Sequence, residues 1–149
     1  MGVTYLSARV RRADGRGVRR DVRFLVDSGA LYSVLPRHVW RSLKLKPERS
    51  AEFILADGTP LTRGVSECRF EIGGQAATSP VVLGEKDDGA LLGAVTLETL
   101  GLMLNPLNRE LVPMRLMLAR LRQWGSSPSF DSVLIPRRAR LAPKSRHER

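Results

Sequence analysis

The chain has 149 residues, 42% of them hydrophobic, which is enough for one compact domain but short for two. Nine prolines, thirteen glycines and only 5% aromatic residues suit a turn-rich β protein better than a helical bundle, and no apolar run is long enough to span a bilayer. The single Cys68 excludes an intrachain disulfide and a cysteine-based zinc site, while the net charge of +10 leaves contact with an anionic partner open.

In chain order, Tyr5 to Val10 and Val18 to Val26 read as two strands around a turn at Arg12-Ala13-Asp14-Gly15-Arg16-Gly17. The second strand runs into Asp27, where Ser28-Gly29 breaks it, and a second hydrophobic run then leads on to Pro36. Pro36 opens a short helix through Leu43 whose inward residues are Val39, Trp40 and Leu43. Phe53 to Leu61 forms a hairpin with Asp57-Gly58 at its tip. Residues 65–72 alternate, with Ser66, Cys68, Phe70 and Ile72 on the apolar face, so Cys68 is expected to be a buried structural thiol. Gly73-Gly74 turns the chain into a strand ending near Val81-Val82-Leu83, and Glu85 to Gly89 is a polar loop.

Ala90-Leu91-Leu92-Gly93 leads into a helix from Ala94 to Leu100, stopped by Gly101. Leu102-Met103-Leu104 and Glu110-Leu111-Val112 are short strands around Asn105-Pro106-Leu107-Asn108. Beyond Pro113, the spacing of Met114, Met117, Leu118, Leu121 and Trp124 predicts an amphipathic helix over 114–124. Residues 125–149 form a basic Ser/Pro/Arg-rich tail carrying +4 of the net charge, expected to hold little fixed structure. Such a tail can bind nucleic acid or be a solvated end; its one aromatic, Phe130, and the lack of a nucleic-acid motif make nucleic acid an unfavoured partner.

A carboxylate at the end of an apolar strand costs free energy unless it is paired or used. A bare Asp-Ser-Gly is an ordinary Asx turn, but here Ala30-Leu31-Tyr32-Ser33-Val34-Leu35-Pro36 follows it. An Ala-Asp-Gly hairpin tip comes next, then Leu91-Leu92-Gly93 before a short helix and Gly101-Leu102-Met103-Leu104-Asn105-Pro106. This order, over about residues 3–113, resembles the retroviral-type aspartic peptidases, in particular their bacterial and archaeal single-domain members. The resemblance implies a mainly β, single-lobe retropepsin-like acid protease barrel with one or two short helices over residues 1–113. It implies an endopeptidase that works as a homodimer, without cofactor or metal.

The chemistry agrees with the resemblance. Peptide hydrolysis without metal or nucleophilic side chain needs one group to activate water and another to polarise the carbonyl. Two carboxylates about 3 Å apart cannot both ionise readily, so they share a proton and do both. Only one Asp-Ser/Thr-Gly triplet is present, so the second carboxylate is expected from a second copy across a two-fold axis. By resemblance, Asp27 is the catalytic acid/base, Ser28 braces the two loops across the dimer, and Gly29 admits backbone close to the carboxylates. Ala30 lines the cleft, Asp57 and Gly58 form the tip of a flap that closes on the peptide, and Leu92 and Gly93 support the active loop. Asp57 is as readily a turn-former as a functional carboxylate.

His38 and His147 form no Ser-His-Asp or metal set. The N-terminus shows no signal-peptide pattern, and a cytoplasmic protein without membrane insertion is expected. Two other readings stay open: a dimeric binding or assembly module of the same fold with little hydrolytic activity, and a small basic nucleic-acid-associated protein.

Overall fold

A computed structural model describes residues 3–115, all within one compact unit; the tail and nearly all of the predicted 114–124 helix lie outside them. The elements are β1 (Thr4–Arg12), β2 (Arg20–Val26), β3 (Ser33–Leu35), α1 (Arg37–Ser42), β4 (Arg49–Ile54), β5 (Pro60–Ile72), β6 (Gln75–Leu83), β7 (Leu91–Leu92), α2 (Ala94–Thr99), β8 (Leu102–Leu104) and β9 (Leu111–Pro113).

Six strands close into a barrel in the order β1-β2-β7-β3-β6-β5, with β5 returning to β1. The closure depends on the length of β5. Its residues 65–72 pair with β6 along one edge; along the other, residues 60–65 pair with β4 and residues 68–71 with β1. One strand thus serves both the barrel and a projecting β4–β5 hairpin. Ser66, Cys68, Phe70 and Ile72 point into the core, as their alternation predicts, where Phe70 meets Phe24 with ring centroids 5.8 Å apart. Val65, on the opposite face, is buried too, because it lies where the hairpin merges with the barrel and is paired on both edges, to Arg49 and Val82.

Sequence and structure differ at the short strands. The Ser33–Leu35 run and the Leu91–Leu92 pair are strands: β7 runs parallel to β2 and antiparallel to β3, and β3 runs parallel to β6. Two- and three-residue strands leave no periodicity to read; only their neighbours make them strands. The hairpin arm and the alternating segment 65–72 are one continuous strand.

Trp40, on α1, is half-buried and donates its indole N–H to the Gly84 carbonyl at 2.8 Å, tying the helix to the end of β6. Beside it, Gly84 is itself confined, since a Cβ there would stand 2.8 Å from the Leu35 carbonyl oxygen. No described helix is long and apolar enough to cross a membrane.

Cys68 is fully buried and its thiol donates to the Arg11 carbonyl at 3.1 Å. Burial pushes its pKa up to about 12, so almost no thiolate forms near neutral pH. Iodoacetamide at pH 8 is therefore expected to leave Cys68 unmodified in the folded protein while labelling it fully in urea. Equal labelling rates in the two states, read by mass spectrometry, would contradict its placement.

Candidate active site

The apolar alternation of β2 buries Val22, Phe24 and Val26 and carries the chain to Asp27, where pairing with β1 stops and the carboxylate emerges exposed. The Asp27 N–H donates to the Leu92 carbonyl at 3.0 Å, continuing the parallel β2–β7 ladder one residue past the strand. Its side chain turns back over the loop, and Oδ1 accepts the Gly29 N–H at 2.9 Å. A Cβ on Gly29 would stand 3.2 Å from that same oxygen, so the absence of a side chain keeps the carboxylate uncrowded. The Asp27 carbonyl accepts the Ala30 N–H at 3.2 Å and closes the turn. Ser28 is exposed at its crest, and Ala30 is half-buried.

The loop is held from behind by the segment that contains Leu92 and Gly93. At the start of α2, the Ala94 and Val95 N–H groups donate to the carbonyls of Ala30 (2.8 Å) and Leu31 (3.1 Å). These helix-start amides would otherwise lack partners, and here they pin the Asp27 loop. Such an approach requires a glycine: a Cβ on Gly93 would meet the Tyr32 carbonyl carbon at 2.6 Å. Behind it lies a buried knot of three hydroxyls. Thr96 Oγ1 is 2.6 Å from Ser33 Oγ and 2.9 Å from Ser79 Oγ, and Ser33 Oγ accepts the Gly93 N–H at 3.0 Å. All three side chains are buried, so β3, β6 and α2 are joined by hydrogen bonds no water can replace.

The β4–β5 hairpin supplies the opposite wall. Its tip is a tight turn: Gly58 N–H donates to the Leu55 carbonyl at 2.8 Å, with Gly58 at φ +84°. Asp57 Oδ1 accepts the Thr59 N–H at 2.9 Å, and that bond holds the carboxyl below its ordinary value. Asp57 is thus engaged with its own turn. Between hairpin and loop lies a groove of about 530 Å³, lined on the loop side by Gly29, Ala30, Leu31 and Tyr32. Phe53, Ile54, Leu55, Leu61 and Arg63 line it on the hairpin side; Asp57 and Gly58 stand beyond its lining. Tyr32 and Phe53 meet edge to face at 6.1 Å, and Arg49 reaches from the hairpin base to the Tyr32 hydroxyl at 3.2 Å. Loop and hairpin touch through side chains on both sides of the gap.

A strand-delivered Asp-Ser-Gly loop under a hairpin, backed by a hydrophobic-Gly-helix segment, has the arrangement the motif order anticipates. A family model described as "Aspartyl protease" matches residues 9–96, which contain the Asp27 loop, the hairpin and the Leu91-Leu92-Gly93 segment up to the first half of α2. The chain belongs to the aspartyl protease family.

The EIAV protease complexed with the inhibitor HBY-793 is similar in structure, with a TM-score of 0.51 at 17% identity over 78% of this chain and 94% of that one. That likeness establishes a retroviral-protease-like fold. The simian foamy virus (mac) protease is similar with a TM-score of 0.45 at 18% identity, over 64% of this chain and 92% of that chain. The foamy viral protease-reverse transcriptase in complex with an RNA/DNA hybrid gives 0.48 at 13% identity, over 78% of this chain and 13% of its own. No curated protein matches.

For a family member, some placements could not be read from the motif. Asp27 itself is outside the groove's lining and lines a second cavity, of about 500 Å³, together with Val3, Thr4, Leu104, Pro106 and Arg109. Phe53, Leu61 and Arg63 escaped the sequence reading as groove residues. The signal was available: with the turn fixed at Asp57-Gly58, period-two counting puts 53 with 61 and 51 with 63 on one face of the hairpin. His38 is exposed on α1, away from the groove lining.

The supports can be tested without any activity. Gly93→Ala forces a methyl against rigid backbone and is expected to destabilise by about 1–3 kcal/mol or more. Thr96→Val leaves the Ser33 and Ser79 hydroxyls short of a partner and is expected to cost about 1–3 kcal/mol. Urea denaturation midpoints check both, and an unshifted midpoint in either would remove its residue from the framework of the loop.

Proposed function

We propose that the chain is an aspartic endopeptidase whose active site is completed when two copies bring their Asp27 carboxylates together. The observation that carries this reading is the presentation of Asp27: exposed at the end of a buried strand, oriented by the Gly29 amide, beside a groove roofed by a hairpin. A carboxylate held that way is available for chemistry, and one such residue per chain calls for a symmetric partner. Exposed apolar side chains support association. Leu31, Ile54 and Leu55 are exposed around the groove, while Val3 and Leu107 are exposed near the Asp27 end, Leu107 with 93% of its surface accessible.

In the dimer, one carboxylate is ionised and its mate holds the shared proton. The ionised Asp27 takes a proton from a water molecule as the water oxygen bonds to the scissile carbonyl carbon. The protonated Asp27 gives its proton to the carbonyl oxygen as the C–O bond forms, so the tetrahedral intermediate is a neutral gem-diol. Collapse breaks the C–N bond: a gem-diol hydroxyl returns its proton to the carboxylate that gave it, and the other carboxyl's proton goes to the departing amine. Ser28 braces one loop against the other, Gly29 and Ala30 receive the substrate backbone, and Leu92 and Gly93 hold the loop in register. The flap, with Asp57-Gly58 at its tip, closes over the peptide and excludes water.

Incubation of the purified protein with a diverse peptide library at pH 4–7 tests the reading. Cleavage is expected for the wild type and a loss of at least about 10³-fold for Asp27→Asn, since the dyad cannot then cycle its proton. Sedimentation should show a dimer at the concentrations that support cleavage. Turnover by the Asp27→Asn variant, or by a species that sediments only as monomer, would defeat the shared site. A stable dimer that binds peptides but cleaves none at any pH would make it a binding module instead.

A further inference from the structure

The groove between the active loop and the hairpin is apolar except at one place. Among the described residues that line it, only Arg63 and Asp88 carry charge. Arg63 shares the inner face of β5 with Leu61, and its guanidinium is held against the wall with only 19% of the side chain exposed. It is poorly satisfied there. Nη1 donates to the neighbouring Thr62 carbonyl at 3.2 Å, and Nε, shut off from solvent, has no hydrogen-bond partner among the described residues. Asp88 forms an ion pair with it, Oδ2 standing 3.5 Å from Nε, a loose contact beside the 2.7 Å bond by which the same oxygen accepts the Glu85 N–H and staples the 85–88 loop.

A guanidinium is a strong, planar, fixed donor, and leaving it mostly removed from water with weak bonds is unfavourable. The imbalance is relieved by an acceptor that arrives with the substrate. A carboxylate forms charge-assisted bonds to a guanidinium, roughly twice as strong as neutral ones. A lysine side chain at the same place would meet the Arg63 charge, and an aliphatic one would bury the guanidinium further without satisfying it. We propose that Arg63 is a specificity-determining residue, and that the groove selects peptides carrying an acidic side chain, glutamate above all, at the position that packs against β5. The inference rests on the groove being the peptide site and names what that site prefers. Asp88 then acts as a competitor for the guanidinium, weakening the selection without abolishing it.

The two halves of the pair therefore have opposite effects, which a purely structural ion pair would not give. The test uses the full chain carrying Asp27→Asn and fluorescent extended peptides with an apolar background, one guest position at a time being Glu, Gln, Leu or Lys. At one position, Glu is expected to bind about tenfold or more tighter than Leu or Lys. Arg63→Gln should flatten that preference, Arg63→Glu should turn it toward Lys, and Asp88→Asn should sharpen it. Thermal midpoints within a few degrees of the parent show that each variant is folded, and Arg63→Lys, which keeps the charge, should retain part of the preference.

The inference is overturned if no position favours Glu, if the preference survives both Arg63→Gln and Arg63→Glu, or if Asp88→Asn and Arg63→Gln weaken it alike. Cleavage of the same peptides by the protein with Asp27 intact is scored separately. Selective binding without cleavage would refute the peptidase reading and uphold the subsite; cleavage indifferent to the guest residue would do the reverse.

Discussion

The position of Asp27 depends on how closely residues 92–95 approach the loop 27–32. Four hydrogen bonds from backbone N–H groups define that approach: Asp27 to the Leu92 carbonyl, Gly93 to the Ser33 hydroxyl, and Ala94 and Val95 to the Ala30 and Leu31 carbonyls. At Gly93 the backbones pass so closely that a Cβ would stand 2.6 Å from the Tyr32 carbonyl carbon and 2.9 Å from the Leu31 carbonyl oxygen. The hydroxyls of Ser33, Thr96 and Ser79 then lock the two segments from the core side. The carboxylate is carried by the loop, but its placement belongs to a segment more than sixty residues away.

The hairpin depends on the same framework in a different way. It is an extension of β5, so its base is fixed by barrel pairing, while its outer part has only β4 as a strand neighbour. Side chains replace the missing sheet. Arg49 and Phe53 reach Tyr32 on the active loop, and Arg63 leans toward Asp88 on the loop before β7. A hairpin attached by a few side-chain contacts over an apolar gap can open at modest cost, as the flap of the proposed function requires. Asp57 fits that arrangement as the residue that shapes the turn, its carboxylate spent on the Thr59 amide.

Much of the site was legible because it is local. The alternation that drives Phe24 and Val26 inward also leaves Asp27 at the strand end, and Asp57-Gly58 shows its turn in two residues. The long β5 core face could be read from Ser66 to Ile72 for the same reason. The strands β3 and β7 could not, since three residues and two residues have no period of their own and are ordered by contacts from both sides. The hydroxyl knot was equally hidden: Ser33, Ser79 and Thr96 are unremarkable residues until folding seals them from water together. The groove face of the hairpin lies between these extremes, implied by the register but visible only once the turn is fixed.

By itself the sequence determined the family-defining order: one carboxylate on a Ser-Gly turn, a hairpin, and a hydrophobic-Gly segment before a helix. Hydrophobic periodicity and turn chemistry act over a few residues, so they are written in the chain. Tertiary structure alone decided which cavity Asp27 lines, why Gly93 must be glycine, and where Arg63 stands. Those are properties of segments far apart in sequence that meet only when the barrel closes. Burial then assigns each polar group a partner or leaves it wanting one.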